Sequence, residues 1–330
     1  MSEVVRVENL TKDYERSVGL LESIVRMRRE RVRAVDGISF GIREGKVFTL
    51  AGESGCGKTT TARILAKLVQ PTSGRIFFDH DDITDVEGER LRSLRRKIQI
   101  IFQDPQASLN PRMRIGDAVG DPLEIHGLAE GEEKRARVLK MLEEVNLVPA
   151  EQFVELYPHQ LSGGQRQRVA IARAMILNPK FVVADEPVSM LDVSLSTAIL
   201  HLMLDLKSRL SLTYLFITHD LAVAKQISDE VAIMYLGKIV EAADKYELFS
   251  NPMHPYTKAL LSAIPVPNPR RKRLQIELGG EVPSAVSIPG GCRFHPRCPL
   301  ASDRCRDEEP QLLDVGNGHL VACHVCGRAG

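Results

Sequence analysis

The sequence predicts an α/β fold built on a parallel sheet covered by helices, and three observations predict it. VFTLA (47–51) and FVVAD (181–185) are short, nearly unbroken apolar runs, as strands buried on both faces require, and YLFITHD (214–220) is a third. Between 47 and 220 the pattern repeats as apolar strand, loop and helix. A glycine-rich turn joins the first of these strands to a helical run.

Ahead of that strand, residues 1–50 read as short strands with turn punctuation: VVRVENL, AVDGISFGIREG and KVFTLAG. Between them lies ERSVGLLESIVRMRRERVR (15–33), with six Arg, three Glu, and Leu20, Leu21, Ile24 and Val25 at helical spacing. It is either a basic amphipathic segment against a membrane surface or a solvated surface insertion. Residues 104–178 are mostly helical in pattern and form a separate lobe. After about 250 the character changes. NPMHPYTKALLSAIPVPNPRRKR (251–273) is Pro-rich and basic, a linker with one short helix. The boundary falls near 255, leaving 256–330 as an extension.

Bulk properties set limits. With 330 residues, 43% of them hydrophobic, the chain can bury a sizeable core. A formal net charge of +1 and 5% aromatics without Trp speak against a nucleic-acid binder, which carries a basic face and stacking platforms. No run of about 18 apolar residues spans a bilayer, and MSEVVRVENL lacks the basic-then-apolar form of a signal peptide. The expectation is a cytoplasmic protein whose membrane role would need a separate membrane partner.

The glycine-rich turn, GESGCGKT (52–59), has the form G-x-x-x-x-G-K-T between strand and helix. Gly52, Gly55 and Gly57 let backbone N–H groups, with Ser54 and Cys56 between them, converge on phosphate oxygens. The helix that follows adds its positive end. Lys58 supplies a point charge for the β- and γ-phosphates, and Thr59, followed by Thr60, supplies a hydroxyl for Mg2+. FVVADE (181–186) ends in two acids. Asp185 suits a magnesium contact, and Glu186, one step further out, suits orienting or deprotonating the attacking water. Cys56 reads either as an inert small residue or as a thiol made reactive by the helix N-terminus.

LSGGQ (161–165) opens another helical run. Ser162 and Gln165 fit a capping box, but capping does not account for Gly163 and Gly164. Two glycines there cost about 1 kcal/mol each against alanine and point to something approaching the backbone closely, such as a second phosphate.

LSGGQ between a phosphate loop and an acid-tipped strand resembles the signature of ABC ATPases. The resemblance covers about residues 1–255 and implies a P-loop NTPase fold: a RecA-like core, an antiparallel β subdomain and a helical subdomain. It implies that Tyr14 stacks on adenine. It also implies that Gln103, in IFQDP, touches magnesium and faces membrane subunits. Asp192, in SMLDVS, would lie at a dimer seam, and His219, in FITHD, would contact the γ-phosphate. The family implies a head-to-tail dimer in which each ATP lies between the phosphate loop of one subunit and the LSGGQ of the other.

Three stretches narrow the resemblance: IFQDPQASLNPRM (101–113), NPMHPYTKALLSAIP (251–265) and GCRFHPRCPLASDRC (291–305) continuing to HLVACH (319–324). They are similar to the ATPases of oligopeptide/dipeptide importers, nearest the F-type subunit. That implies a D-type ATPase partner, two transmembrane permease subunits, an extracytoplasmic substrate-binding protein, and a place on the cytoplasmic face of the membrane. Gln106 and Met190 depart from the family's usual Tyr and Ala without removing a chemical group. Oligosaccharide or nickel cargo remains an alternative, because the ATPase never touches the cargo. A soluble ABC ATPase acting on nucleic acid or ribosomes is a further one, opposed by the balanced charge.

Five of the six cysteines fall in the extension, spaced C-x5-C-x6-C-x17-C from Cys292 through Cys298 and Cys305 to Cys323, with Cys326 two residues beyond. Zinc knuckles use C-x2-4-C, which only Cys323 and Cys326 match. The resemblance implies a [4Fe–4S] cluster on Cys292, Cys298, Cys305 and Cys323; zinc and no metal are the alternatives. Residues 291–326 are short and loop-rich, so an inorganic cross-link is expected to supply their order.

Overall fold

Alternation decides how the buried strands are used. The computed structural model describes residues 2–15, 31–264 and 286–326, with Ile276, Gly279, Pro283 and Ser284. The basic insertion lies almost wholly outside the described residues.

The chain opens with β1 (Glu3–Glu15) and β2 (Arg31–Arg43), both longer than the short strands expected. They pair antiparallel, with Tyr14 opposite Val32 and Glu15 opposite Arg31, so the insertion joins two paired strand ends. β1 also pairs with β4 (Ser73–Phe78), which pairs with β5 (Asp81–Asp82), making a four-stranded antiparallel sheet.

The second sheet carries the site. Its parallel part runs β9 (Glu230–Tyr235), β3 (Val47–Ala51), β8 (Thr213–Thr218), β7 (Phe181–Asp185) and β6 (Ile98–Ile101). β10 (Lys238–Asp244) closes back antiparallel on β9. Along β7, Phe181 and Val183 enter the core shared with the antiparallel sheet, while Val182 and Ala184 enter the core shared with the helices. β8 does the same with Leu215 and Ile217 against Tyr214 and Phe216. A period of two with both faces buried leaves no polar position, which is why these runs read as unbroken apolar.

Helices cover the sheet in sequence order. α1 (Lys58–Leu65) follows β3, and α2 (Gly88–Lys97) precedes β6. The stretch from 104 to 178 holds helices joined by turns and no strand: α3 (Pro105–Ser108), α4 (Ile115–Ile125), α5 (Gly131–Glu144), α6 (Ala150–Val154) and α7 (Gly163–Met175). α8 (Val193–Leu210) follows β7, α9 (Leu221–Ile227) follows β8, and α10 (Lys245–Ser250) and α11 (Pro255–Ser262) follow β10. No helix of the described residues is long and apolar enough to cross a membrane.

The extension contains α12 (Asp303–Asp307), β11 (Leu313–Asp314) and β12 (Leu320–Val321). The extension is also held by packing against the rest of the chain. Phe294 is buried against Tyr235 and Tyr256, at ring-centroid distances of 5.3 and 5.4 Å. Burying such a ring contributes about 2 kcal/mol. β12 pairs with β10, and Arg293 donates to the Leu236 carbonyl and to Asp36. The tail therefore borrows the core of the domain before it.

Candidate active site

Strand order assembles the site. β3, β8, β7 and β6 are consecutive and parallel, so their carboxyl ends share one edge. At that edge stand the phosphate loop after β3, His219 after β8, Asp185 at the end of β7 with Glu186 just beyond it, and Gln103 after β6. Lys58 and Gln103, which lie 161 and 116 positions before His219 in sequence, thus converge on it only through topology. A cleft of about 550 Å³ opens there, lined by Ser54, Gly55, Gly57, Lys58, Thr59, Thr60, Gln103, Glu186 and His219, with Ala34, Glu53 and Leu260.

Two of the loop's glycines are demanded by space. A Cβ on Gly52 would lie 2.2 Å from the Met234 carbonyl, and one on Gly57 would lie 2.1 Å from the Ala34 carbonyl. Both carry a positive φ, 152° and 111°, that side chains disfavour. The buried Lys58 ammonium donates to the Gly52 and Glu53 carbonyls, each at 2.8 Å. A buried ammonium must have partners, and these carbonyls hold it where phosphate oxygens would take over.

Of the two readings of Cys56, the structure favours the inert small residue. Its side chain turns inward and is buried, and burial pushes the thiol up despite the attraction of Lys58. The positive end of α1 does not outweigh lost hydration.

The acids hold different environments one residue apart. Asp185 is buried, and burial raises its carboxyl above the usual range although the Thr59 hydroxyl donates to it at 3.1 Å. A divalent cation would relieve that penalty. The Thr59 hydroxyl, the Asp185 carboxylate and the Gln103 amide are hard oxygen donors of the kind magnesium takes alongside substrate phosphates. Glu186 sits at φ 48°, a strained value for a non-glycine residue, with its N–H donating to the Ile217 carbonyl. That turn aims its carboxylate into the cleft, where Oε2 meets Gln103 Nε2 at 3.1 Å and His219 Nδ1 at 3.0 Å. Gln103 Nε2 also lies 3.4 Å from Ser189 Oγ.

The signature stands apart from this cleft. Ser162 caps α7, accepting from Gln165 N at 3.3 Å, while Gln165 Oε1 accepts from Ser162 N at 2.9 Å. A Cβ on Gly164 would press on Leu195 at 3.3 Å, but one on Gly163 would find only ordinary contact with Leu191 at 3.6 Å. Among the described residues, no contact requires a glycine at 163. Asp192 caps α8, accepting from Ser194 N and Leu195 N at 3.0 and 2.9 Å. Those hydrogen bonds hold its carboxyl below the usual range. Tyr14 is exposed near the end of β1, with Lys12 Nζ 5.1 Å from its ring centroid, and does not line the cleft.

The cysteines of the extension are neighbours. Burial, joined by repulsion from Cys305, Cys323 and Cys298, pushes the Cys292 thiol up to about 11. Ser302 Oγ lies 3.4 Å from Cys305 Sγ, and Cys326 N donates to Cys323 Sγ at 3.4 Å. Among the described residues no group of three or more His, Cys, Asp or Glu side chains is placed to hold a metal ion.

Sequence reasoning missed Glu53, Tyr256 and Arg297. Tyr256 Oη accepts from Glu53 N at 2.9 Å, and Arg297 makes two hydrogen bonds to the Glu53 carboxylate, at 2.8 and 3.1 Å. No spacing signal links residues so far apart in the chain.

A phosphate loop whose lysine, magnesium-type hydroxyl, paired acids, glutamine and histidine share one sheet edge defines an ATP-hydrolysing cassette. Comparison with known proteins gives the particular family. A family description for "ABC transporter" matches residues 35–189, and one for "Oligopeptide/dipeptide transporter, C-terminal region" matches 240–305. The chain is 46% identical over 322 residues to the probable peptide ABC transporter ATP-binding protein y4tS of Sinorhizobium fredii, covering 98% of this chain and 90% of that one. It is 48% identical over 297 residues to the oligopeptide transport ATP-binding protein AppF of Bacillus subtilis, covering 89% and 90%. Among solved structures, the dimeric post-hydrolysis state of the ATP-binding cassette MJ0796 bound to ADP and Pi matches with a TM-score of 0.63 and 32% identity, over 73% of this chain and 98% of that one. The chain belongs to the ABC transporter ATPases.

Proposed function

We propose that this ATPase drives uptake of peptides through a membrane importer. The observation that carries the hydrolytic part is the meeting of Glu186 with Gln103 and His219, within 3.1 Å, at the mouth of the phosphate loop. The cargo reading is supported by the oligopeptide/dipeptide transporter region at 240–305 and by the names of the relatives.

In this reading the loop residues Gly52, Ser54, Gly55, Cys56 and Gly57 offer backbone N–H groups to the phosphates. Lys58 leaves its carbonyls for the β- and γ-oxygens, and Thr60 adds a hydroxyl. Thr59, Asp185 and Gln103 would hold Mg2+, which neutralises charge building on the phosphates. Glu186 orients and deprotonates water, and His219 steadies Glu186 and reaches the γ-phosphate. Tyr14, exposed on β1, stacks on adenine.

Ser162, Gly163, Gly164, Gln165 and Asp192 act on the nucleotide of a partner. Their separation from this chain's own cleft supports that, as does the dimer of MJ0796. The partner would be a D-type ATPase in a head-to-tail heterodimer. The pair would sit on the cytoplasmic face against two permease subunits served by an extracytoplasmic binding protein. The finer reading of the tail, a [4Fe–4S] cluster or zinc on Cys292, Cys298, Cys305 and Cys323, draws support from the closeness of the thiols. Iron, sulfide and zinc analysis of anaerobically purified protein tests it.

Uptake of labelled di- and oligopeptides by cells expressing the full transporter tests the function. Uptake should stop when this chain carries Glu186→Gln. Unchanged uptake would remove the chain from the process, and transport of nickel or a sugar instead would replace the cargo.

A further inference from the structure

We propose that Arg297 of the extension is a positioning residue for the phosphate loop, acting through Glu53. The proposal rests on the reading of the cleft as the nucleotide site.

Glu53 is held at three points. Its carbonyl accepts from Lys58 Nζ at 2.8 Å, its N–H donates to Tyr256 Oη at 2.9 Å, and its carboxylate takes two hydrogen bonds from Arg297, at 2.8 and 3.1 Å. Two of the three holds come from beyond residue 255. Arg297 itself is nearly buried, with its side chain 7% exposed and its guanidinium 5.9 Å from the Tyr235 ring centroid. Tyr235 packs on Tyr256 and Phe294, so both holds grow from one aromatic cluster.

Two consequences follow for nucleotide binding. Glu53 lines the cleft, so its charge lies beside the space a triphosphate would fill. Left unpaired, that charge would repel phosphate; the two-pronged guanidinium neutralises it. The same contact fixes the peptide whose carbonyl parks Lys58. The hydrolytic groups Glu186, Gln103 and His219 are held by one another and not by hydrogen bonds to Glu53 or Arg297 among the described residues. Arg297 therefore sets affinity and leaves the chemical step alone.

The experiment is steady-state ATP hydrolysis with direct ATP titration, on the full chain in complex with its partner ATPase. Arg297→Ala should raise the ATP KM by about tenfold, the scale of one lost charge-assisted pair, with kcat within about twofold. Glu53→Gln in the same chain should restore KM to within about threefold, because the repelling charge is gone. A purely structural role would show no such rescue. Arg297→Lys, which keeps charge but not the fork, should raise KM by a smaller factor and serves if the alanine variant does not fold. A wild-type KM in folded Arg297→Ala or Arg297→Lys would overturn the proposal, as would a double variant no better than Arg297→Ala. Lys58→Ala separates the two levels: if it binds ATP normally the cleft reading fails, whatever Arg297 does.

Discussion

His219 Nδ1 lies 3.0 Å from Glu186 Oε2, bridging the ends of two adjacent parallel strands. Gln103 Nε2 approaches the same oxygen from a third strand at 3.1 Å. One carboxylate oxygen is thus oriented from two sides, as a general base requires if it is to hold one direction.

His219→Ala should therefore lower kcat by about 10²-fold, the usual scale for an orienting or acid–base partner. ATP affinity should change little, because His219 stands beyond the loop that grips the phosphates. Single-turnover hydrolysis with radiolabelled ATP measures it.

Lys58→Ala should act on binding. The variant removes the buried ammonium that the Gly52 and Glu53 carbonyls now hold. A charge-assisted contact to phosphate is lost, and ATP affinity should fall by about 10²-fold or more. Titration with a fluorescent ATP analogue reads this directly.

Much of this was legible in the chain. The runs VFTLA and FVVAD predict buried parallel strands because both of their faces are covered, and GESGCGKT predicts the loop because its glycines answer local backbone demands. The S-x-x-Q capping box at Ser162 is a local signal and forms as read. What was not legible is non-local. The full length of β1 and β2 depends on each pairing with the other, and the insertion between them masks it. The Arg297 contact to Glu53 joins residues 244 positions apart, set by how Phe294 and Tyr256 pack on Tyr235. The two readings of Cys56 could not be separated locally, because burial, a tertiary property, opposes the local field of a helix N-terminus.

Cys56 should accordingly resist alkylation. Its thiol is pushed above the ordinary range, so at pH 8 less of it is thiolate than in a free cysteine, and reaction requires the thiolate. Iodoacetamide should modify Cys56 slowly in folded protein, with or without ATP, and rapidly after denaturation. Peptide mass mapping after timed quenching follows the rate.

Gly164→Asp should act in trans. Position 164 lies at the start of α7, away from the chain's own cleft, so an added carboxylate would repel the γ-phosphate held by a partner's lysine. In mixed dimers the site built on the partner's phosphate loop should fail, while the variant chain's own loop still binds ATP. Photo-crosslinking of labelled ATP in pairs carrying one variant subunit tells the two apart.

The central claim is that Glu186 hydrolyses an ATP clamped between two subunits. Glu186→Gln keeps the hydrogen-bonding shape of the side chain and removes the base. Size-exclusion chromatography of the Glu186→Gln pair with ATP and Mg2+, with phosphate release assayed in parallel, measures binding and chemistry on one sample. The account predicts a stable ATP-held dimer and hydrolysis slowed by about 10²-fold or more. Hydrolysis at the wild-type rate, or subunits that stay apart in saturating ATP, would contradict it.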